Sequence, residues 1–146
     1  MNQGRVTGVG YEGKDLDSFI ALLRLRGVAR VVDIRLNPLS RKRGFSKTGL
    51  REALADAGIG YTHLRALGNP KANRAGFSAT DGDEARASRA AYAEVLRSDE
   101  GRAALELVKT WSLDEHVALL CFEAEDCHCH RELVLRELGA DRLLAA

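Results

Sequence analysis

No apolar run in this 146-residue chain approaches the length that spans a bilayer, so the sequence argues against a helical membrane protein. The first residues, Met1 to Val6, lack the charged, apolar and small-residue sections of a secretory signal and enter a strand-like pattern at once. A cytoplasmic location is therefore expected. Internal repeats, low-complexity stretches and linker-like compositions are also missing. One domain is the simplest reading, at a length that buries a core without metal or disulfide support. Cysteine is scarce: there are three, an odd number, and two of them are separated by a single residue, which argues against a disulfide framework. Reduced thiols, free to react or to bind a metal, fit better.

Net charge is close to zero at +1, but it is unevenly spread. Between Arg24 and Arg51 stand nine basic residues (Arg24, Arg26, Arg30, Arg35, Arg41, Lys42, Arg43, Lys47, Arg51) against the single acid Asp33. Most acids fall between Asp81 and Asp126. A basic block attracts phosphates, nucleotides or nucleic acid, or it is a solvated face balanced by a neighbouring helix.

The apolar pattern reads as alternating strands and helices. Arg5 to Tyr11 is a first strand. Leu16, Phe19, Ile20 and Leu23 recur at helical spacing behind a capping Asp15, and Gly27 breaks the helix. Val28 to Ile34 has the β-branched character of a strand buried in a parallel sheet. Asn37-Pro38 opens a loop, Ser46 is placed to cap a helix through Leu50 and Leu54, and Ile59 to Leu64 is a third strand. Residues 68–83, rich in Gly, Asn, Pro, Ser and Thr, form a long connection of the kind used as lids or binding loops. Helices are expected over Glu84–Leu96 and after Ser98, then a strand from His116 to Phe122 and a helix from Glu132 to Leu138 stopped by Gly139. Arg142 to Leu144 is a candidate edge strand. The fold class expected is α/β: three layers, a mostly parallel sheet with helices on both faces.

Three segments carry residues with chemical potential. Asp33 interrupts an apolar strand, where a carboxylate must find a partner, and Arg35 projects to the same face. The two make either a buried ion pair or part of a pocket at the strand's end. Ser40-Arg-Lys-Arg-Gly-Phe-Ser-Lys47 offers planar and point charges for phosphate, with Phe45 free to stack on a base or to anchor the loop. Residues 121–131 gather all three cysteines with His128 and His130 where a strand hands over to a helix. Cys129 is a candidate nucleophile with His130 or His128 as base, activated by a helix start. Zinc binding by the cluster is disfavoured, because alternating positions of an extended run cannot turn to one ion and the spacings are unusual. Cys121, inside a strand, reads as packing. The Cys-x₅-Arg loop of thiol phosphatases is absent, since Cys127 and Leu135 stand where the arginine would be.

In this order, the segments resemble the domain of unknown function 488 family. The resemblance rests on Val32-Asp-Ile-Arg35, Asn37-Pro38, Ser40-Arg41, Phe45-Ser-Lys47, Tyr61-Thr-His-Leu64 with Leu67-Gly68, Leu119-Leu-Cys121-Phe-Glu123 and Cys129-His-Arg131. Gly8-Val-Gly-Tyr11 fits the family's first strand. Arg65-Ala66 and Asn69 depart from the pattern near Leu67, and Cys127 lies outside the motif. The resemblance implies a fold and a site, not an activity.

Taken together, the matched residues sit at the carboxyl ends of different strands, as in a pocket. The expectation is an enzyme acting on an anionic, phosphate-bearing substrate, nucleotide or nucleic-acid component. Arg35, Arg41 and Arg131 would hold the anion, and Tyr11, Lys47 and His63 would line the opening. Asp33 or Glu123 would serve as acid or base with His130, and Cys129 either as nucleophile or as a structural start to the helix. No cofactor or metal is expected. A non-catalytic anion or nucleic-acid binding module, and a thiol protein of rhodanese-like or redox type, remain the alternatives.

Overall fold

The computed structural model describes residues 5–139. Four strands, β1 (Arg5–Gly10), β2 (Arg30–Asp33), β3 (Gly60–His63) and β4 (His116–Cys121), form one sheet in the order β1-β4-β2-β3, with every pair parallel. β4, His-Val-Ala-Leu-Leu-Cys, is buried along its whole length, which is what a central parallel strand covered on both faces requires.

Alternation along the strands divides the core in two. Val32, Val117 and Leu119 face α3 (Asp83–Arg97), α4 (Asp99–Ser112) and α5 (Arg131–Glu137), meeting Tyr92, Leu105, Val108 and Val134. Val31, Ala118 and Leu120 face α1 (Leu16–Leu25) and α2 (Lys47–Asp56), meeting Phe19, Leu23, Leu50 and Leu54. Each of the large apolar side chains contributes about 1.5–3 kcal/mol on burial. The layers are therefore three, as the pattern predicts.

Local signals mostly act as read. The Asp15 carboxylate accepts the Ser18 N–H at 2.8 Å, and Ser98 Oγ accepts the Gly101 N–H at 3.1 Å. Gly27 ends α1 at a φ of 72°. Ser46 departs from its expected role. Its hydroxyl makes no cap bond to α2 and instead exchanges hydrogen bonds with the backbone of Ser40, closing the 40–46 loop. A 3₁₀ turn at Arg65–Leu67 leads into the long connection, which forms two more, at Lys71–Asn73 and Ala75–Ser78. The edge strand expected at 142–144 lies outside the described residues.

Topology positions a crevice. β1 and β2 lead into helices on one face, whereas β4, inserted between them, leads into α5 on the other. Chains leaving adjacent strands in opposite directions open a gap at their carboxyl ends, where open α/β sheets bind ligands.

The opposite end of β4 holds a pH-sensitive group away from that crevice. His116 is buried, its Nδ1–H donates to the Arg26 carbonyl at 3.0 Å, and Nε2 accepts the Thr7 hydroxyl at 2.7 Å. Burial lowers its pKa, and Arg5 and Arg26 oppose its protonation further. The unfolded chain thus takes up a proton near the ordinary value of about 6.5, before the folded chain does. His116 therefore favours the folded state above that pH, and the contribution is lost as pH falls below it. Urea unfolding at about pH 7.5, 6.5 and 5.5 should show stability falling with pH, with a shallower fall in His116→Gln. An unchanged slope in the variant would remove His116 as the cause.

Candidate functional site

Asp33 ends β2 with no exposure to solvent. Its carboxylate accepts Nε–H and Nη2–H of Arg35 at 2.9 and 2.7 Å, the Arg35 backbone N–H at 3.1 Å and the Tyr61 hydroxyl at 2.5 Å. Arg35 also donates through Nη1 to the Phe45 carbonyl at 2.7 Å and to the Tyr11 hydroxyl at 3.3 Å. Burial works against the guanidinium charge, but Asp33 outweighs it, and the pKa of Arg35 is raised. Burial and the hydrogen bond to Asp33 raise that of Tyr61 as well. Phe45 is fully buried, stacked on Tyr11 at 4.6 Å and edge-on to Phe19 at 5.4 Å, so it anchors the basic loop in the core. Lys42 Nζ pins the same loop by donating to the carbonyls of Tyr11 and Lys14.

The second wall grows from the end of β4. Cys121 closes the strand, and a 3₁₀ turn over Asp126–His128 folds the chain back so that Cys129 and His130 return to Cys121. The two sulfurs and a ring nitrogen of His130 all lie within 4.8 Å of one another. The premise of an extended run, which argued against convergence, does not hold once the turn forms. His130 Nε2–H donates to the Ile34 carbonyl at 2.9 Å, the Tyr92 ring packs edge-on at 4.9 Å, and Nδ1 faces Cys129 Sγ at 3.5 Å. Helix α5 begins only at Arg131, after Cys129. Burial pushes the Cys129 thiol up, with Cys121 adding to the effect, while hydrogen bonding from Cys129 and the proximity of His130 bring Cys121 down.

Glu123 leaves this wall with Oε2 buried and without a hydrogen-bond partner among the described residues. Its carboxyl lies beside Cys121; burial, then the charge of that thiol, raise its pKa. The backbone here presses on β1. A Cβ at Gly10 would overlap the Glu123 carbonyl, so only glycine lets the loop seat there. Arg131, with no solvent exposure, clamps it by donating to the Val9 and Glu123 carbonyls and pairing with Asp126.

The long connection supplies the third wall. Arg89 of α3 donates to the carbonyls of Gly76, Ala79 and Cys127 and lies 4.8 Å over the Phe77 ring, tying the connection to the 126–128 turn. Arg74 is exposed, and among the described residues its Nε–H donates to the Asn69 carbonyl at 3.4 Å.

These walls enclose a cavity of about 130 Å³. Of the residues expected to serve a site, Tyr11, Arg35, Glu123, His128, Cys129 and His130 line it. Asp33 lies behind Arg35, His63 donates to the Arg35 carbonyl at 2.7 Å, and Arg131 is spent on the Glu123 loop. Arg41 and Lys47 are exposed and do not line the cavity. Sequence reasoning left out Asn69, Arg74, Phe77 and Cys121 as lining residues. The composition of residues 68–83 marked a binding loop, and nothing in it marked Arg74 in particular.

The model of the family described as Domain of unknown function DUF488 matches residues 15–138. No curated protein and no solved structure matches the chain significantly.

Proposed function

The chain belongs to the domain of unknown function 488 family, and on that premise we propose an enzyme that acts on a small anionic, phosphate-bearing substrate in the cavity at the carboxyl ends of β2 and β4. One observation carries the reading. The cavity is lined by two arginines, Arg35 and Arg74, together with Glu123, whose buried Oε2 has no hydrogen-bond partner among the described residues. Cations lining a cleft select an anion, and a carboxyl with one unbonded oxygen next to that anion is positioned to exchange a proton with it.

Arg35 uses four of its five N–H groups internally, so it brings one N–H and a fixed charge. Arg74 brings the flexible fork. Leu39, Phe77 and Phe122 give the cavity an apolar side for the body of a nucleotide or similar ester. Asp33, Tyr61 and His63 act from behind, holding Arg35 and its backbone in place.

Inorganic phosphate and nucleoside monophosphates, titrated while melting temperature is followed, test the reading. Saturable stabilisation is expected. Arg74→Ala should weaken it about tenfold or more, the loss of one charge-assisted contact. Glu123→Gln should keep binding and slow conversion of the bound ester, followed by chromatography, by about a hundredfold or more. If no probe stabilises the protein, or if Arg74→Ala binds as the parent does, the reading fails.

A further inference from the structure

We propose that Cys121, Cys129 and His130 form a zinc site whose fourth position opens into the cavity. All three line it, and their ligand atoms converge within 4.8 Å. In a tetrahedral site with Zn–S of about 2.3 Å and Zn–N of about 2.0–2.1 Å, neighbouring ligand atoms stand about 3.5–3.8 Å apart. Cys129 Sγ and His130 Nδ1 are 3.5 Å apart already.

Second contacts favour ligation over plain packing. The Ile34 carbonyl takes the Nε2–H of His130, which fixes the tautomer and turns the Nδ1 lone pair toward the thiols. Metal-binding imidazoles are oriented in this way. The backbone N–H of Arg131 points at Cys129 Sγ at 3.5 Å, a donor suited to a thiolate. Two thiolates and an imidazole select a borderline-soft ion over magnesium or calcium. Three protein ligands leave a position for water or for a substrate oxygen, as catalytic zinc sites do. Glu123 stands beside the group without belonging to it. A second trio, Glu125, Cys127 and His128, is exposed or half-buried and serves as an internal control.

What the open position faces rests on the reading of the cavity as a substrate site; metal binding itself does not, and it is measured without any substrate. Chain purified without chelator, and chelator-stripped chain given one equivalent of Zn²⁺, would be desalted and assayed for metal by mass spectrometry. About one zinc per chain is expected, and Co²⁺ in its place should show thiolate-to-cobalt charge-transfer absorption. Cys121→Ser and Cys129→Ser should each weaken binding about a hundredfold or more, whereas Cys127→Ser should bind as the parent does. Should the serine variants misfold, alkylation of the parent decides instead: zinc should protect Cys121 and Cys129 and leave Cys127 reactive. A chain that takes up no zinc, or one whose zinc depends on Cys127, overturns the proposal. Zinc binding without phosphate-induced stabilisation would instead fail the substrate reading alone.

Discussion

Arg131→Met is expected to lower the unfolding free energy by about 3–5 kcal/mol, measured from urea unfolding with the slope checked against the parent. The guanidinium is wholly buried and fills three roles at once: it pairs with Asp126, and it satisfies the Val9 carbonyl at the end of β1 and the Glu123 carbonyl in the cavity wall. Methionine replaces much of the volume and none of the donors. Two carbonyls and a carboxylate would then be left in a place water reaches poorly, at about 1–3 kcal/mol for each orphaned group. Against a typical total of about 5–15 kcal/mol, this is a large fraction of the stability. The structural consequence should be local first, because the 123–126 segment lies on Gly10 and is held there by Arg131. Anion binding should therefore be lost under conditions where the variant is still folded. A loss under about 1 kcal/mol would show that water replaces the arginine without difficulty, and that the clamp is unimportant.

The second large effect belongs to Asp33 and Arg35. Arg35→Met strands a carboxylate with no solvent exposure, leaving it the Tyr61 hydroxyl and one backbone N–H. Asp33→Asn strands a guanidinium that is 6 % exposed. Each single change should cost about 3–5 kcal/mol at neutral pH, since breaking a buried pair leaves an uncompensated charge. The double variant Asp33→Asn with Arg35→Met carries neither charge, so it should cost clearly less than the sum of the singles. A coupling of about 2 kcal/mol or more in a double-mutant cycle is expected. Additivity within about 0.5 kcal/mol would mean that the pair is not an energetic unit. In that case Arg35 would have to be held by Phe45 and Tyr11 alone.

Much of the fold was legible because it depends on local rules. The β-branched run at residues 28–34, the all-apolar 116–121 and the 3.6-residue spacing of Leu16, Phe19 and Leu23 each name an element without reference to the rest of the chain. Asp15 and Ser98 cap the helices they precede for the same reason. The role of Ser46 was not legible. Its hydroxyl had to choose between a helix start and the Ser40 backbone, and the loop anchored by Phe45 made the second choice.

Basic residues were legible as charge and not as function. Within the block from Arg24 to Arg51, Arg26 bonds the Gly8 carbonyl, Arg30 pairs with Glu115 and lies over Trp111, and Lys42 bonds two carbonyls. A sequence shows that a cation exists; whether a carbonyl from a distant strand consumes it depends on the packing. Arg131 is the sharpest case, since its place after Cys129 and His130 reads as anion binding and its partners come from β1 and from the 123–126 loop.

By itself, then, the sequence determined the three-layer parallel architecture, the family, and two segments, 33–35 and 121–131, that contribute to the lining of the cavity. Those properties follow from hydrophobic periodicity and from residue types close together in the chain. Only the tertiary structure decided which side chains meet in the cavity. It inserted β4 between β1 and β2, brought Arg74 from the long connection into the same cavity lining as Arg35, and folded the 126–128 turn so that the sulfurs of Cys121 and Cys129 lie within 4.8 Å. Those contacts join residues far apart in sequence or reversed by a turn, and their geometry is fixed by how the layers pack and where buried donors find acceptors. Neither is written in any single stretch of chain.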